Sequence, residues 1–201
     1  MGVEHYFSAR PRVASDRREW TTTLRGQVYT FVTDRGVFSR DRIDRGTRLL
    51  IETMVVAPDA VVLDWGCGYG PLGLVAARLA PQGWVTLLDI NERAVELARE
   101  NARRNGITWV DAVVGEGFSA VAGRRFDVIL SNPPLRAGKA VVQGLIEGAP
   151  AHLVPGGTLW LVARTQQGAK SLYRALERVF GSAETVARGG GFRVLRGTVP
   201  K

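Results

Sequence analysis

Two groups of residues in this sequence have types and spacings suited to chemistry. The first is the glycine-rich stretch Asp64-x-Gly66-x-Gly68-x-Gly70, which follows an apolar run over residues 60–63. Glycine lets a backbone turn through positive φ and lets a ligand lie against the main chain. The apolar run predicts a buried strand, and Pro71 suits the first turn of a helix. A strand, a glycine turn and a helix N-terminus together predict a site for a nucleotide-like ligand.

The glycine stretch is compatible with two ligand classes. Gly68, Gly70 and Gly73 fit the dinucleotide pattern G-x-G-x-x-G, and Asp89 follows at a distance suited to a ribose contact. Taken from Asp64, the same stretch resembles the first motif of class I methyltransferases, which bind S-adenosylmethionine. A glycine turn without any cofactor is the third interpretation. The glycines alone do not decide among them.

The second group of residues is Asn132-Pro133-Pro134, which follows a predicted strand over residues 126–130. Ligands of open α/β sheets bind at the carboxyl ends of the strands, so this turn is expected at a binding site. Two prolines fix the backbone and lack N–H groups, which leaves rigid acceptors. An aromatic amine is a poor nucleophile because its lone pair is delocalised. Acceptance of its N–H bonds by the Asn132 side-chain oxygen and the Pro133 carbonyl would direct that lone pair at a methyl donor.

The composition narrows the class of protein. The chain has 201 residues, 45% of them hydrophobic, and a net charge of +8, which favours nucleic acid as a partner. Most of its basic residues are arginines, a bias that a GC-rich genome or a heat-adapted host would also produce. A lone cysteine, no apolar run of membrane length and no secretion signal indicate a cytoplasmic protein without membrane contact. His5 and His152 are far apart, so we expect no metal site.

The order of the predicted elements indicates the fold class. Strands and helices alternate from residue 60 onward, which predicts an α/β fold with a mostly parallel seven-stranded sheet and helices on both faces. Residues 24–33 and 37–39 predict a hairpin that turns at 34–36, and Asp44 is the predicted N-cap of a following helix. We expect one domain, with residues 1–56 as an N-terminal extension of arm, hairpin and helix on a core over 57–201.

The motifs also resemble a known family. Asp64-x-Gly-x-Gly-x-Gly, Asp89-Ile90-Asn91, Gly115-Glu116 and Asn132-Pro-Pro have the order and spacing of class I methyltransferases that act on amino nitrogens. Further stretches are similar to the small-subunit ribosomal RNA guanine-N2 methyltransferase family, closest to its short, single-domain branch. These are His5-Tyr-Phe-Ser8, Gly36-Val-Phe-Ser39, Asp44-Arg-Gly-Thr47, Asn132-Pro-Pro-Leu-Arg-Ala-Gly-Lys139 and Gly191-Phe-Arg-Val-Leu195. The resemblance implies a Rossmann-like fold that uses S-adenosylmethionine and releases S-adenosylhomocysteine.

The resemblance implies a role for each matching residue. Gly66, Gly68 and Gly70 would admit the donor, Asp64 would orient that loop or the methionine amino group, and Asp89 with Ile90 would hold the ribose. Glu116 would lie near the adenine. Arg136 and Lys139 would contact phosphates, while Phe38, Ser39 and Thr47 would close the pocket. Leu135 replaces the aromatic residue that longer members place after the prolines, which leaves base stacking to Phe38.

Together these observations predict an N-methyltransferase acting on an exocyclic amine, with guanine N2 of ribosomal RNA as the leading acceptor. A protein glutamine amide is the alternative acceptor, since related enzymes also use Asn-Pro-Pro. A non-catalytic RNA-binding protein of the same fold and an NAD-dependent oxidoreductase are the other candidates. RNA is the expected partner, and a homo-oligomer is one arrangement that would add further substrate contacts.

Overall fold

The computed structural model describes residues 13–133 and 138–201, and a seven-stranded sheet organises them. Its strand order is β5-β4-β3-β6-β7-β9-β8. In the described part, β9 runs antiparallel to both of its neighbours, β7 and β8, and the other neighbouring pairs are parallel. A separate two-stranded hairpin precedes the sheet. The strands are β1 Arg18–Leu24, β2 Gln27–Thr33, β3 Val61–Trp65, β4 Trp84–Asp89, β5 Val110–Val114, β6 Phe126–Ser131, β7 Leu153–Arg164, β8 Glu184–Gly189 and β9 Phe192–Thr198. The helices are α1 Arg45–Thr53, α2 Pro71–Leu79, α3 Glu92–Arg104, α4 Lys139–His152 and α5 Ala169–Phe180.

Helices cover both faces of the sheet, as predicted. Side chains along each central strand alternate between two hydrophobic clusters, because successive residues of a strand point to opposite faces. Val62 and Leu130 belong to the cluster that includes residues of α1, α2 and α3, whereas Leu63 and Ile129 belong to the cluster beneath α4 and α5. The parallel strands are therefore buried on both faces, which explains their continuous apolar sequences.

The N-terminal hairpin exists, but the predicted position of its turn is wrong. Strands β1 and β2 pair from Arg18 opposite Thr33 to Leu24 opposite Gln27, so the turn is Arg25-Gly26. Both turn residues have positive φ, +48° and +76°, which matches the twist that a two-residue hairpin needs. Residues 34–44 instead form an irregular loop that leads to α1. Arginine is uncommon at positive φ, which is why the sequence pattern did not reveal this turn.

A buried amide joins the hairpin to the glycine turn. The Asn101 side chain on α3 accepts from the Val32 N–H at 2.7 Å and donates to the carbonyls of Val32 and Tyr69, each at 2.9 Å. Leu24 and Phe31 of the hairpin also belong to the same hydrophobic cluster as α1 and α2. The N-terminal segment thus helps to hold the glycine turn in place. The division of the chain at residue 56 remains a prediction.

No helix within residues 13–133 and 138–201 combines the length and apolar character needed to cross a bilayer.

Candidate active site

A cavity of about 780 Å³ opens at the carboxyl ends of β3, β4, β5, β6 and β7. The chain runs outward from β3 to β5 and then returns to β6 on the other side of β3, so the cavity lies where the strand order reverses. This is the position at which open α/β folds bind their ligands. Each of the two groups singled out in the sequence contributes to the lining, which includes Gly66 and Gly68 from the first and Asn132 and Pro133 from the second but neither Asp64 nor Gly70.

The glycine turn forms one wall of the cavity. Gly66, Gly68 and Gly70 have φ of +77°, +57° and +98°, a region that residues with a Cβ rarely adopt. The N–H groups of Gly66 and Cys67 donate to the Leu88 carbonyl at 2.8 and 2.9 Å, which fixes the turn to the neighbouring strand. Gly66 and Gly68 line the cavity, and a Cβ added at either would meet no atom within 4 Å. This backbone is therefore open to a ligand.

Gly73, the last glycine of the dinucleotide pattern, has a packing role. A Cβ built there would lie 2.1 Å from Leu87 Cδ2 and 3.1 Å from Asp64 Cβ. Its absence lets α2 approach the sheet. Close packing of α2 on the sheet is needed whichever class of ligand binds, so Gly73 does not favour a dinucleotide.

Asp64 lies behind the turn rather than in the cavity wall. Its side chain is fully buried, one carboxylate oxygen accepts from the Gly73 N–H at 2.8 Å, and Oδ1 has no partner among the described residues. Burial raises the pKa of Asp64 to about 7, and the nearby Asp89 charge adds to the rise. The observed contact anchors α2 to β3. A contact between Asp64 and a methionine amino group remains a prediction.

The raised pKa of Asp64 predicts a pH-dependent stability. The ordinary value is 3.8, so between pH 4 and 7 the folded protein binds more protons than the unfolded chain. The free energy of unfolding should therefore fall as pH rises through this window, by up to about 4 kcal/mol from this group. Urea unfolding of the wild type and of Asp64→Asn at pH 5 and pH 8 checks this.

The asparagine variant keeps an acceptor for Gly73 but does not titrate. Its stability advantage over the wild type should grow from pH 5 to pH 8, because only the wild type then buries a charge. Other titrating groups are common to both proteins and cancel in the difference. Parallel stability curves would show that the Asp64 proton does not respond to folding.

Asp89 ends β4 on the cavity wall, beside Ile90. Its two oxygens accept from the N–H groups of Gly68 at 2.8 Å and Asn91 at 2.9 Å. Burial raises its pKa, and these N–H bonds partly oppose the rise. Each oxygen keeps a further lone pair, so the carboxylate can accept two hydroxyl groups from a ligand. Asn91 caps α3 as predicted, since its side chain accepts from the N–H groups of Arg93 and Ala94.

Asn132 and Pro133 follow β6 on the opposite wall. The Asn132 Nδ2 atom lies 2.9 Å from Thr47 Oγ1 and 3.2 Å from Asp44 Oδ2. Since an ionised carboxylate only accepts, the amide nitrogen faces Asp44, and Oδ1 is left as an acceptor. The same Asp44 oxygen caps α1 by accepting from the N–H groups of Gly46 and Thr47. A hydrogen bond from Ser131 Oγ to the Trp65 carbonyl, 2.7 Å, joins the ends of β6 and β3.

The remaining predicted residues differ in their positions. Glu116 after β5 lines the cavity and is exposed, and Phe38, Ser39 and Thr47 line it from the N-terminal side. Lys139 begins α4 and is exposed, but it is not part of the cavity lining, whereas its neighbour Ala140 is. Pro134, Leu135 and Arg136 lie outside the described residues, as does the motif at 5–8. A contact of Lys139 with substrate phosphates remains a prediction.

Several lining residues were not foreseen in the sequence. Asp44 was predicted only as a helix cap, and its contact with Asn132 crosses 88 positions of sequence. Phe118 comes from the short 3₁₀ helix after β5, Val141 from α4, and Arg164 and Phe192 from the ends of β7 and β9. For Asp44, the only signal in the sequence was its spacing from Thr47, Asp44-x-x-Thr47, at the start of a helix. The described residues contain no cluster of histidine, cysteine or acidic side chains that could hold a metal ion.

The fold and this cavity define the chain as a class I methyltransferase that depends on S-adenosylmethionine. It belongs to the methyltransferase small domain family, which matches residues 28–196. The family match favours the methyltransferase interpretation of the glycine turn over the dinucleotide one.

Three relatives illustrate the similarity. The chain is 42% identical to the uncharacterized protein YbxB of Bacillus subtilis over 195 aligned residues. The alignment covers 96% of this chain and 97% of that one. It is 38% identical to the ribosomal RNA small subunit methyltransferase C of Serratia proteamaculans over 83% of this chain and 48% of that one. The 16S rRNA N2 guanine methyltransferase of T. thermophilus, solved with AdoMet and guanosine, is 29% identical with a TM-score of 0.83, covering 94% of this chain and 52% of that one. The chain thus spans about half the length of these two ribosomal RNA methyltransferases.

Proposed function

We propose that the protein transfers a methyl group from S-adenosylmethionine to the exocyclic N2 amine of a guanine in small-subunit ribosomal RNA. The observation that carries the proposal is the anchored Asn132 amide, whose nitrogen is held by Thr47 and Asp44. This anchor fixes the side-chain oxygen as an acceptor beside Pro133, which also lacks a competing N–H. The two named ribosomal RNA methyltransferases support the choice of acceptor.

The residues of the cavity fit the proposed donor. The glycine turn leaves open backbone at Gly66 and Gly68, and the Asp89 carboxylate offers lone pairs to hydroxyl groups. Ile90 and Glu116 line the same cavity and would complete the donor site, while Gly70, the N-cap of α2, and Asp64 would support the turn from behind. S-adenosylmethionine supplies an electrophilic methyl group, so that a bond from nitrogen to carbon forms as the carbon–sulfur bond breaks.

The chain itself contributes orientation. The Asn132 side-chain oxygen and the Pro133 carbonyl would each accept an N–H of the amine, which localises the nitrogen lone pair and directs it toward the donor. Pro134 would stiffen the same turn. The proton lost by the amine can leave to solvent after transfer, so no strong base is required. Phe38, 40% exposed at the cavity, offers a ring surface for the target base.

The proposal is tested by nucleoside analysis. Purified protein, labelled S-adenosylmethionine and an unmodified transcript of small-subunit ribosomal RNA should yield N2-methylguanosine on mass spectrometry. Label that survives ribonuclease and co-migrates with protein would instead indicate a glutamine amide acceptor. Donor binding without any transfer, to RNA or to assembled subunits, would contradict the proposed activity and indicate an RNA-binding protein of this fold.

The Thr47 hydroxyl gives a graded test of the Asn132 anchor. Thr47→Val keeps the shape of the side chain but removes the 2.9 Å bond to Asn132. We expect kcat to fall about 5- to 10-fold, in line with one lost neutral hydrogen bond, with little change in donor affinity. Thr47→Ser restores the hydroxyl and should restore kcat. Equal loss in both variants would show that the methyl group, rather than the hydrogen bond, is what matters.

A further inference from the structure

A second groove lies beside the catalytic cavity, on the face of the sheet that α5 covers. It measures about 530 Å³ and lies between α5 and the β8–β9 hairpin. Four cationic side chains line it: Lys170 and Arg174 from α5, Arg188 from β8 and Arg193 from β9.

These cations lack partners within the part of the chain that the structure describes, where none of the four has an ion pair or a side-chain hydrogen bond. The Arg193 Nε atom is buried and unpartnered. Neighbouring arginines differ, since Arg196 on the same strand pairs with Glu184 at 2.5 Å and Arg178 on α5 pairs with Glu147 at 3.4 Å. A buried donor without a partner costs free energy, which indicates a missing acceptor.

The pairing of β8 with β9 adds electrostatic repulsion among the cations of the groove. Arg188 lies directly opposite Arg193 in the antiparallel register of β8 and β9. Like charges in directly opposed positions destabilise a sheet. Of the two acids at the groove, Glu184 is engaged by Arg196, which leaves Glu177 as the only other carboxylate in its lining. An anion in the groove would offset this repulsion.

The groove adjoins the catalytic cavity across strands β7 and β9. Ala163 of β7 lines the cavity, and it lies directly opposite Arg193 of β9, which lines the groove. Gln167 lines the cavity and Lys170, three residues further along the chain at the start of α5, lines the groove. The Arg164 guanidinium, 5.1 Å from the centre of the Phe192 ring, adds a further cation at the boundary. A polymer whose base enters the cavity would pass its backbone beside this groove.

We propose that this groove binds the phosphate backbone of the RNA strand that carries the target base. The inference rests on the proposed function for the acceptor in the neighbouring cavity. Guanidinium groups bind phosphate with paired N–H donors, and three of the four cations are arginines. The groove would hold the strand in register while the Asn132 turn engages the base. Phosphate contacts position a nucleic acid without reading its sequence.

The test is a binding titration of the full chain with a fluorescent, unmodified transcript of small-subunit ribosomal RNA at several salt concentrations. Arg174→Ala/Arg188→Ala should weaken binding about 10-fold and lower the slope of log affinity against log salt by about 2. The matched control, Arg103→Ala/Lys201→Ala, removes the same charge at two positions that do not line the groove and should change binding less than 2-fold. S-adenosylmethionine affinity should match the wild type in both variants, and thermal stability should not fall in either, because loss of Arg188 relieves its repulsion with Arg193.

Three results would contradict the proposal that this groove binds the RNA backbone. Equal weakening by both double variants would indicate non-specific charge attraction. Unchanged RNA binding by Arg174→Ala/Arg188→Ala would show that RNA does not bind at this surface. Weaker binding only to assembled subunits, with the naked transcript unaffected, would place a ribosomal protein there instead. The titration requires no methyl transfer, so a wild type that binds RNA through the groove but transfers no methyl group would overturn the proposed activity alone.

Discussion

Replacement of Asn132 by alanine is expected to lower kcat for methyl transfer about 100- to 1,000-fold, the usual cost of removing one preorganised polar group at a reacting centre. The alanine variant cannot accept an N–H of the amine, so the nitrogen lone pair is no longer directed toward the donor. The Thr47 hydroxyl and Asp44 also lose their shared partner. Initial rates of label incorporation at saturating RNA and donor measure the effect.

A matched control separates chemistry from folding. Asn105 is also half-buried and hydrogen-bonded, to Thr30 of the hairpin, and it is not part of the cavity lining. Asn105→Ala should lower the unfolding temperature but leave kcat within 2-fold, because it removes hydrogen bonds to the hairpin and no group at the cavity. Undiminished incorporation by Asn132→Ala would end the catalytic assignment, and equal rate losses in both variants would reduce it to a stability effect.

The second large effect is expected at Asp89. Asp89→Asn should raise the dissociation constant for S-adenosylmethionine about 10- to 100-fold. Both carboxylate oxygens accept backbone N–H groups, from Gly68 and Asn91, so an amide nitrogen placed on either side would oppose a donor. Hydrogen bonds to a charged acceptor contribute about 1.5 to 3 kcal/mol, which corresponds to this range. Isothermal titration with S-adenosylmethionine and S-adenosylhomocysteine measures it.

Asp111 supplies the comparison for this variant. It is a half-buried acid on β5 that accepts from Thr86, Trp84 and Arg124, with a pKa held below its ordinary value by these donors against the effect of burial. Asp111→Asn removes a charge of the same kind outside the cavity and should leave donor affinity unchanged. A parallel titration with NAD should show no binding by the wild type. Unaltered donor affinity in Asp89→Asn would place the ribose elsewhere.

Much of the fold was predictable because the central strands are buried on both faces. Such strands appear as continuous apolar runs, so β3, β4 and β6 were recognised together with the polar residues that end them. The hairpin turn was misplaced because Arg25-Gly26 lacks the Asn or Asp that commonly marks a two-residue turn. Its positive φ values come from the pairing of the strands.

The residues of the candidate site could be predicted from the sequence, but the contacts that hold the Asn132 side chain in place could not. Asn132 and Asp89 were identified because each follows an apolar strand in a recognisable motif. The anchor at Asp44 and Thr47 depends on how α1 packs across the end of the sheet, and no local pattern encodes that packing. The groove between α5 and the β8–β9 hairpin likewise joins arginines whose spacing in the sequence shows no motif.

The single Asp44 oxygen that serves Gly46, Thr47 and Asn132 limits how parts of such proteins can be exchanged. A chimera that takes its N-terminal segment from one relative and its strand β6 from another would keep a well-capped helix and an intact sheet. It would nevertheless misplace the Asn132 amide if the incoming helix began about 0.5 Å away, since catalytic groups must be held to about that precision. Segments 44–47 and 131–133 therefore form one unit of exchange, although 83 residues lie between them in the sequence.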